Sequence, residues 1–404
     1  MALSLALFNS PLNTGAGTTG QIAALGLASG RKLSFDLVNA HTLSFTLPGR
    51  HPTTALVQVG ISDVMAWWDT QAGALQRFRV TSSQISITGS EVLVTFTCTS
   101  YRGLAEAWVF HDTDQRSWTA TPQSQIMWEI FNGGQTKTRG NLGVVRGAIP
   151  ATDPVRDRPS TTDTATSITT QYFAAGTTRL VGIQSLENVI GGAEWDINPD
   201  PSDLTKLTFD CYTQRGRTDP TLPLPLVVGS TVSSATRQAD LSTYANVTRT
   251  LGTAQGTVTV PFVSWRPVTT DPAGTPQEGR WERTYSSAAI TQAGVDEHGA
   301  ANLARANNPY PMWSLTLSSQ AWQGPSSLWL GDVTRLLCRV TSDEVSATPL
   351  LDVAETQRVL KLDIAADEAG GSVVTVAVGR PPLSYSLFRQ QLERRLALLE
   401  LARR

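Results

Sequence analysis

Charge is scarce in this chain of 404 residues. Asp, Glu, Lys and Arg together make up 16%, against roughly 25% in ordinary globular proteins. Lysine is almost missing, confined to Lys32, Lys137, Lys206 and Lys361, and the net charge is −2. A protein that grips duplex DNA leaves a basic footprint, and the composition carries none overall. Cysteine is limited to Cys98, Cys211 and Cys338. A disulfide framework or a zinc site needs clustered ligands, so these read as free thiols. No run approaches the roughly 20 apolar residues of a membrane span, and the opening residues lack the positive segment of a signal peptide. The expectation is synthesis in the cytoplasm, with no stable membrane association and no need for an oxidising compartment.

Thr, Ser, Gly and Gln fill the place of the missing charges. That composition suits β-rich domains with many turns. It also suits surfaces hidden against other subunits, because interface cores are depleted of charge. The length allows two to four domains.

Period-two patterning dominates. Leu33, Phe35 and Leu37 share one face, as do Leu43, Phe45 and Leu47 before Pro48-Gly49, and Val92, Val94, Phe96 and Cys98. Such short alternations predict half-buried strands. Further strands are expected over 204–212 and 257–265, through Trp313, Leu315 and Leu317, and over 359–364. Tyr101, Leu104 and Trp108 fall on one helical face. Thr121-Pro122 opens a helix whose stripe is Ile126, Met127, Ile130 and Phe131, with Gly133-Gly134 as its stop. Short helices are predicted at 184–190 and 291–306. Residues 147–167 read as a loop.

One internal echo stands out. Gln76-Arg77-Phe78-Arg79-Val80 leads through Gly89-Ser90 into Val92–Phe96. Gln357-Arg358-Val359-Leu360-Lys361 leads through Gly370-Gly371 into Val373–Val376. A Gly and an Asp precede each, Gly60 with Asp63 and Gly331 with Asp332. Two related β-barrels are the economical reading, with the Gly-Asp pairs as structural turns; chance similarity between two hairpins is the alternative.

Motifs for chemistry are weak. Gly15-Ala16-Gly17-Thr18-Thr19-Gly20 has the G-x-G-x-x-G form, but no strand directly precedes it and no βαβ pattern surrounds it, so it reads as a loop. His41, His51, His111 and His298 form no metal-type pair. The acidic groups Glu194/Asp196/Asp200/Asp203 and Asp112/Asp114 would cleave a glycosidic bond only if two carboxyls were held about 5–9.5 Å apart. Solvated loop acids are the commoner case. The eleven tryptophans are dispersed, as in cores and subunit interfaces rather than in one sugar-binding platform.

The order of several short segments resembles the tail-tip hub of long-tailed phages. The segments are Ser44-Phe45-Thr46-Leu47-Pro48, the Gly60 to Asp63 turn, Phe78-Arg79-Val80, and Ser100-Tyr101-Arg102-Gly103-Leu104. Then come Glu194-Trp195-Asp196-Ile197, Asn246-Val247, Gly279-Arg280-Trp281-Glu282, Gly331-Asp332-Val333 and Arg358-Val359-Leu360. Each is loose alone; together they cover residues 1 to about 382. The resemblance implies a mainly β chain with a smaller α+β part. The first barrel would be 1–115 and the middle α/β domain 116–225 with 270–308. The second barrel would be 226–268 with 309–382.

It further implies a non-enzymatic structural subunit at the virion tail tip. A homotrimer would form a ring around the tail channel, touching the distal tail protein ring, the tape-measure protein and other tail-tip proteins. DNA would meet it only in transit. No catalytic, cofactor-binding or metal-ligating residue follows from the resemblance. The rival reading is a β-rich carbohydrate-binding tail module. The last segment, 383–404, has no Gly or Pro and predicts an amphipathic helix. Phe388, Leu392, Leu396 and Leu399 form its apolar stripe and are the candidate interaction residues, packing either on their own domain or on another chain.

Overall fold

A computed structural model describes residues 3–9, 20–37, 39–68, 74–111, 114–118, 121–137, 140–147, 170–173, 175–187, 194–200, 203–204, 206–212, 215–238, 244–254, 260–268, 280–287, 289–307, 312–319, 321–341, 349–366 and 372–379. The glycine motif at 15–20 (save Gly20), the loop 147–167 (save Gly147) and the helix 383–404, with Phe388, Leu392, Leu396 and Leu399, lie outside the described residues.

The alternating segments form strands, as their period demands. The first set is β1 (Leu3–Asn9), β2 (Gln21–Ala24), β3 (Ser29–Asp36), β4 (Thr42–Pro48), β5 (Ser62–Trp68), β6 (Ala74–Thr88) and β7 (Glu91–Ser100). A short helix, α1 (Pro52–Leu56), lies between β4 and β5. The strands pair antiparallel in the order β2-β1-β5-β6-β7-β4-β3. Leu43, Phe45 and Leu47 of β4 are buried, while the residues between them are not. Each such side chain contributes about 1.5–3 kcal/mol by leaving water.

A mixed layer follows. It contains α2 (Tyr101–Leu104), β8 (Asp114–Ser117), α3 (Gln123–Gln135), β9 (Val144–Arg146), β10 (Thr170–Phe173), α4 (Arg179–Glu187), β11 (Glu194–Pro199) and β12 (Leu207–Tyr212). The α3 stripe Ile126, Met127, Ile130 and Phe131 is fully buried in a second core with Phe110, Phe173, Trp195 and Phe209. Gly133-Gly134 does not stop α3, which continues to Gln135. Gly134 is instead a packing residue, because the Trp108 indole occupies the space its Cβ would need. Trp108 itself lies beyond α2 in extended backbone, so the expected single helical face of Tyr101, Leu104 and Trp108 does not form.

The second strand set begins with β13 (Leu226–Val227) and β14 (Val232–Gln238). A long connection carries β15 (Val247–Leu251), β16 (Val263–Pro267), β17 (Glu282–Ser286) and α5 (Gln292–Ala306). Then come β18 (Met312–Leu317), β19 (Val333–Thr341), β20 (Pro349–Ala366) and β21 (Ser372–Gly379). Their order is β13-β19-β20-β21-β18-β14.

The two halves share one plan. β3-β4-β5-β6-β7 and β14-β18-β19-β20-β21 pair in the same way, and the match holds residue by residue. Val80 faces Cys98, which faces Leu43; Val359 faces Val378, which faces Trp313. Both long strands carry a bulge one residue later, between Val80 and Ser82 and between Val359 and Lys361. The Gly60 N–H donates to Val80 O, and the Gly331 N–H to Val359 O. The structural match sets Arg79-Val80 on Arg358-Val359, two residues away from an alignment on the glutamines Gln76 and Gln357.

The fold is mainly β, as the alternation requires, and the halves are related. They are also continuous. Beyond its bulge, β20 pairs with β3, Leu362 facing Phe35 and Ile364 facing Leu33, making one 13-stranded sheet over one core. Among the described residues neither half closes into a barrel by strand pairing. The end strands of each ribbon are neighbours in the chain instead, β2 with β3 and β13 with β14, joined by short turns.

Candidate functional site: a buried charge network and two open sheet edges

The middle layer meets the sheet through charged groups. On β11, Trp195 and Ile197 point into the second core, while Glu194 and Asp196 alternate onto the other face. Asp196 is fully buried, 2.7 Å from His41 Nε2 and 2.8 Å from Arg215 Nη1. Burial disfavours its charge, but His41 and Arg215 outweigh that and hold its carboxyl well below the usual range. Glu194 takes two bonds from Arg358, at 2.6 and 2.7 Å, and Arg358 also donates to Gly331 O at 2.9 Å. Arg102 donates to Leu37 O, Trp195 O and Glu187. One strand of the middle layer is thereby tied to both halves of the sheet.

Asp63 anchors a second group. It accepts from Arg77 Nε at 2.7 Å, Arg79 Nε at 2.6 Å and the Tyr101 hydroxyl at 2.7 Å. Burial and Asp63 both push the Tyr101 phenol up, so it stays a donor. Asp332 occupies the corresponding region of the second half. It accepts the Trp329 N–H and the Arg217 N–H and pairs with the Arg217 side chain, as expected of a turn aspartate.

This placement bears on the acidic candidates. Glu194 and Asp196 are both engaged by cations, and Asp196 is inaccessible. Asp200 and Asp203 lie in a turn, Asp203 pairing with exposed Lys206. Asp112 lies outside the described residues, and Asp114 begins β8. Of the histidines, His41 alone joins the network. Sequence reasoning did not foresee His41, Arg215 or Arg358 as partners of the acidic cluster. The available signal was arginine alternating with apolar residues inside a strand, as in Arg77-Phe78-Arg79-Val80. Among the described residues, no group of His, Cys, Asp and Glu is placed to hold a metal ion, and no helix is long and apolar enough to cross a membrane. Trp265 and Trp281, the aromatics that a carbohydrate-binding reading would use, are about half exposed.

Burial pushes the Glu187 carboxyl up to about 7, with Arg102 opposing and Glu194 and Asp196 assisting. A raised carboxyl favours the folded state most below its ordinary value of 4.5, and that contribution is lost as pH rises through about 7. Unfolding measured between these values should therefore show falling stability. Glu187→Gln should reduce the slope but leave a remainder, because Asp210 is also raised by burial. A slope unchanged in Glu187→Gln would remove Glu187 from this account.

Among the described residues the large sheet leaves open edges in each half. Residues 82–88 of β6 pair, among the described residues, with β7 on one side only, and all are exposed. Ile85 and Ile87 there are 64% and 70% exposed. β14 pairs with β18 on one side, and among the described residues nothing pairs with its other side.

Solved structures match the chain along nearly its whole length, including the following two. One is a tail protein from Neisseria meningitidis MC58, with a TM-score of 0.61 at 9% identity, covering 95% of this chain and 98% of that one. The fold is that of a phage tail protein. The second match is the 43 kDa tail protein of prophage MuSo2 from Shewanella oneidensis, with a TM-score of 0.57 at 12% identity, covering 94% and 99%. No protein-family model and no curated protein sequence matches. The phage-tail resemblance carried by the short sequence segments thus reappears in the fold, at identities where sequence comparison finds nothing.

Proposed function

We propose that this chain is a non-enzymatic structural subunit of a phage-type tail, forming a trimeric hub ring around the channel at the tail tip. The observation that carries the reading is the repeated half. One chain holds two copies of the same five-strand plan, already joined edge to edge through β20 and β3. Three such chains would present six similar units to a sixfold tail ring while remaining threefold themselves. The network around Asp196 and Glu194 then fixes the middle layer against the ring instead of doing chemistry. The partners would be the distal tail protein ring, the tape-measure protein and other tip proteins. DNA would pass through without being held, since the chain has little net charge.

Light scattering on the purified full chain tests this. The expected mass is three times 43.4 kDa, with a ring visible in negative-stain images. A monomer that persists at high concentration would overturn the ring.

A further inference from the structure

The residue-by-residue match between the halves points to the surface that joins one chain to the next. Matching Val80 to Val359 sets Ser82 on Lys361, Gln84 on Asp363 and Ile85 on Ile364. The register supports this, because Ser82 faces Thr97 beside Cys98 just as Lys361 faces Ala377 beside Val378. The matched segments have opposite surroundings. Ile364 is 1% exposed because β3 lies against it, with Leu33 opposite. Ile85 is 64% exposed.

The strand that fills this place inside the chain, β3, also has a counterpart. Leu33 faces Leu43, and Leu43 matches Trp313, which faces Arg237 of β14. Leu33 therefore corresponds to Arg237. β3 is paired on both sides, with β4 and β20. β14 is paired with β18 alone among the described strands. Each half thus leaves vacant the edge that its sister uses.

We infer that residues 82–88 of one copy pair antiparallel with β14 of a second copy, repeating between chains the β20–β3 joint within the chain. The register follows from the match: Gln84 faces Gln238 of the partner subunit, Ile85 faces Arg237 of the partner subunit, and Ile87 faces Ala235 of the partner subunit. Composition agrees. Lone edges are normally guarded by charge or proline. Residues 82–88 contain neither, and β14 has only Arg237. The vacant edges lie on different halves, so the contact is head-to-tail, which closes into a ring or runs on as a filament. This inference rests on the ring reading for the number of copies and on the repeat for the joint itself.

Cysteine pairs test the register in the full chain. Residues directly opposite across an antiparallel pair are near enough for a disulfide. Mild oxidation of a Gln84→Cys, Gln238→Cys chain should give intermolecular bands ending at three copies. Gln84→Cys with Ser234→Cys, four residues out of register, should give little, as should either single variant. Ile85→Asp, at an exposed position, should reduce the scattering mass to one chain with unchanged circular dichroism. A trimer that resists Ile85→Asp and fails to cross-link at 84 and 238 would overturn the joint and leave the ring. In-register bands in an assembly of another size would keep the joint and overturn the trimer. A monomer without cross-links would overturn both.

Discussion

Asp63→Ala should be among the most damaging single changes in the sheet, lowering stability by about 3–5 kcal/mol. Asp63 has no exposed surface, and it neutralises two guanidiniums at 2.7 and 2.6 Å whose side chains are 1% and 11% exposed. Burial works against the Arg79 charge, and Asp63 more than offsets it, so that Arg79 is held above its ordinary range. Removing the carboxylate leaves these cations buried without their counter-charge and takes the acceptor from Tyr101. Replacing the whole group, with Arg77→Met, Arg79→Leu and Tyr101→Phe added to Asp63→Leu, should do less harm than Asp63→Ala alone. A buried ion network is weakly stabilising as a unit but expensive to break by one member. Chemical denaturation of the three proteins is the measurement. An Asp63→Ala protein within about 1 kcal/mol of wild type would be incompatible with this account.

Gly331→Val should abolish soluble protein, while Gly60→Ala should remain soluble. The two glycines hold matching turns and similar backbone, φ +86° and +78°. Their surroundings differ. A Cβ at Gly60 meets nothing within 4 Å, whereas one at Gly331 would sit 2.5 Å from Arg215 O and 2.7 Å from its carbonyl carbon. Gly216, itself at φ +83°, is just as close, since a Cβ there would sit 2.2 Å from the Gly331 carbonyl carbon. At Gly60 the penalty is the left-handed backbone alone, about 1–2 kcal/mol. At Gly331 a β-branched side chain adds a clash with main chain that cannot move without breaking the Asp332–Arg217 and Arg358–Glu194 contacts. Soluble fraction after expression and melting temperature separate the two. A soluble, normally melting Gly331→Val protein would show that the 215–216 segment does not lie against this turn.

Much of this was legible in the sequence. Leu43, Phe45 and Leu47, or Trp313, Leu315 and Leu317, announce strands because a half-buried ladder allows only period two. The Gly-Asp pairs and the Arg-Val echo revealed the repeat, although its true register became clear only from the matching bulges. A bulge is a property of two paired strands and is invisible in either alone. Gly134 misled because a glycine that admits a neighbour's indole looks the same in sequence as one that ends a helix. The Asp196 site was missed for a related reason. Its partners His41 and Arg215 lie 155 and 19 positions away in the chain, and only the packing of the middle layer on the sheet brings them together.

The joint between β20 and β3 also governs the order in which the chain can be built. β3 emerges from the ribosome early, but the strand that covers its outer edge is made more than 300 residues later. At roughly 5–20 residues per second, that edge waits on the order of 15–65 s. During this interval the β20-facing side of β3 lacks its permanent partner, and Leu33 and Phe35 lack Ile364 and Leu362 beside them. The first half must remain a soluble, incomplete intermediate until the last strands arrive. The yield of this protein should therefore depend on translation speed and on chaperones that shield a nascent strand edge.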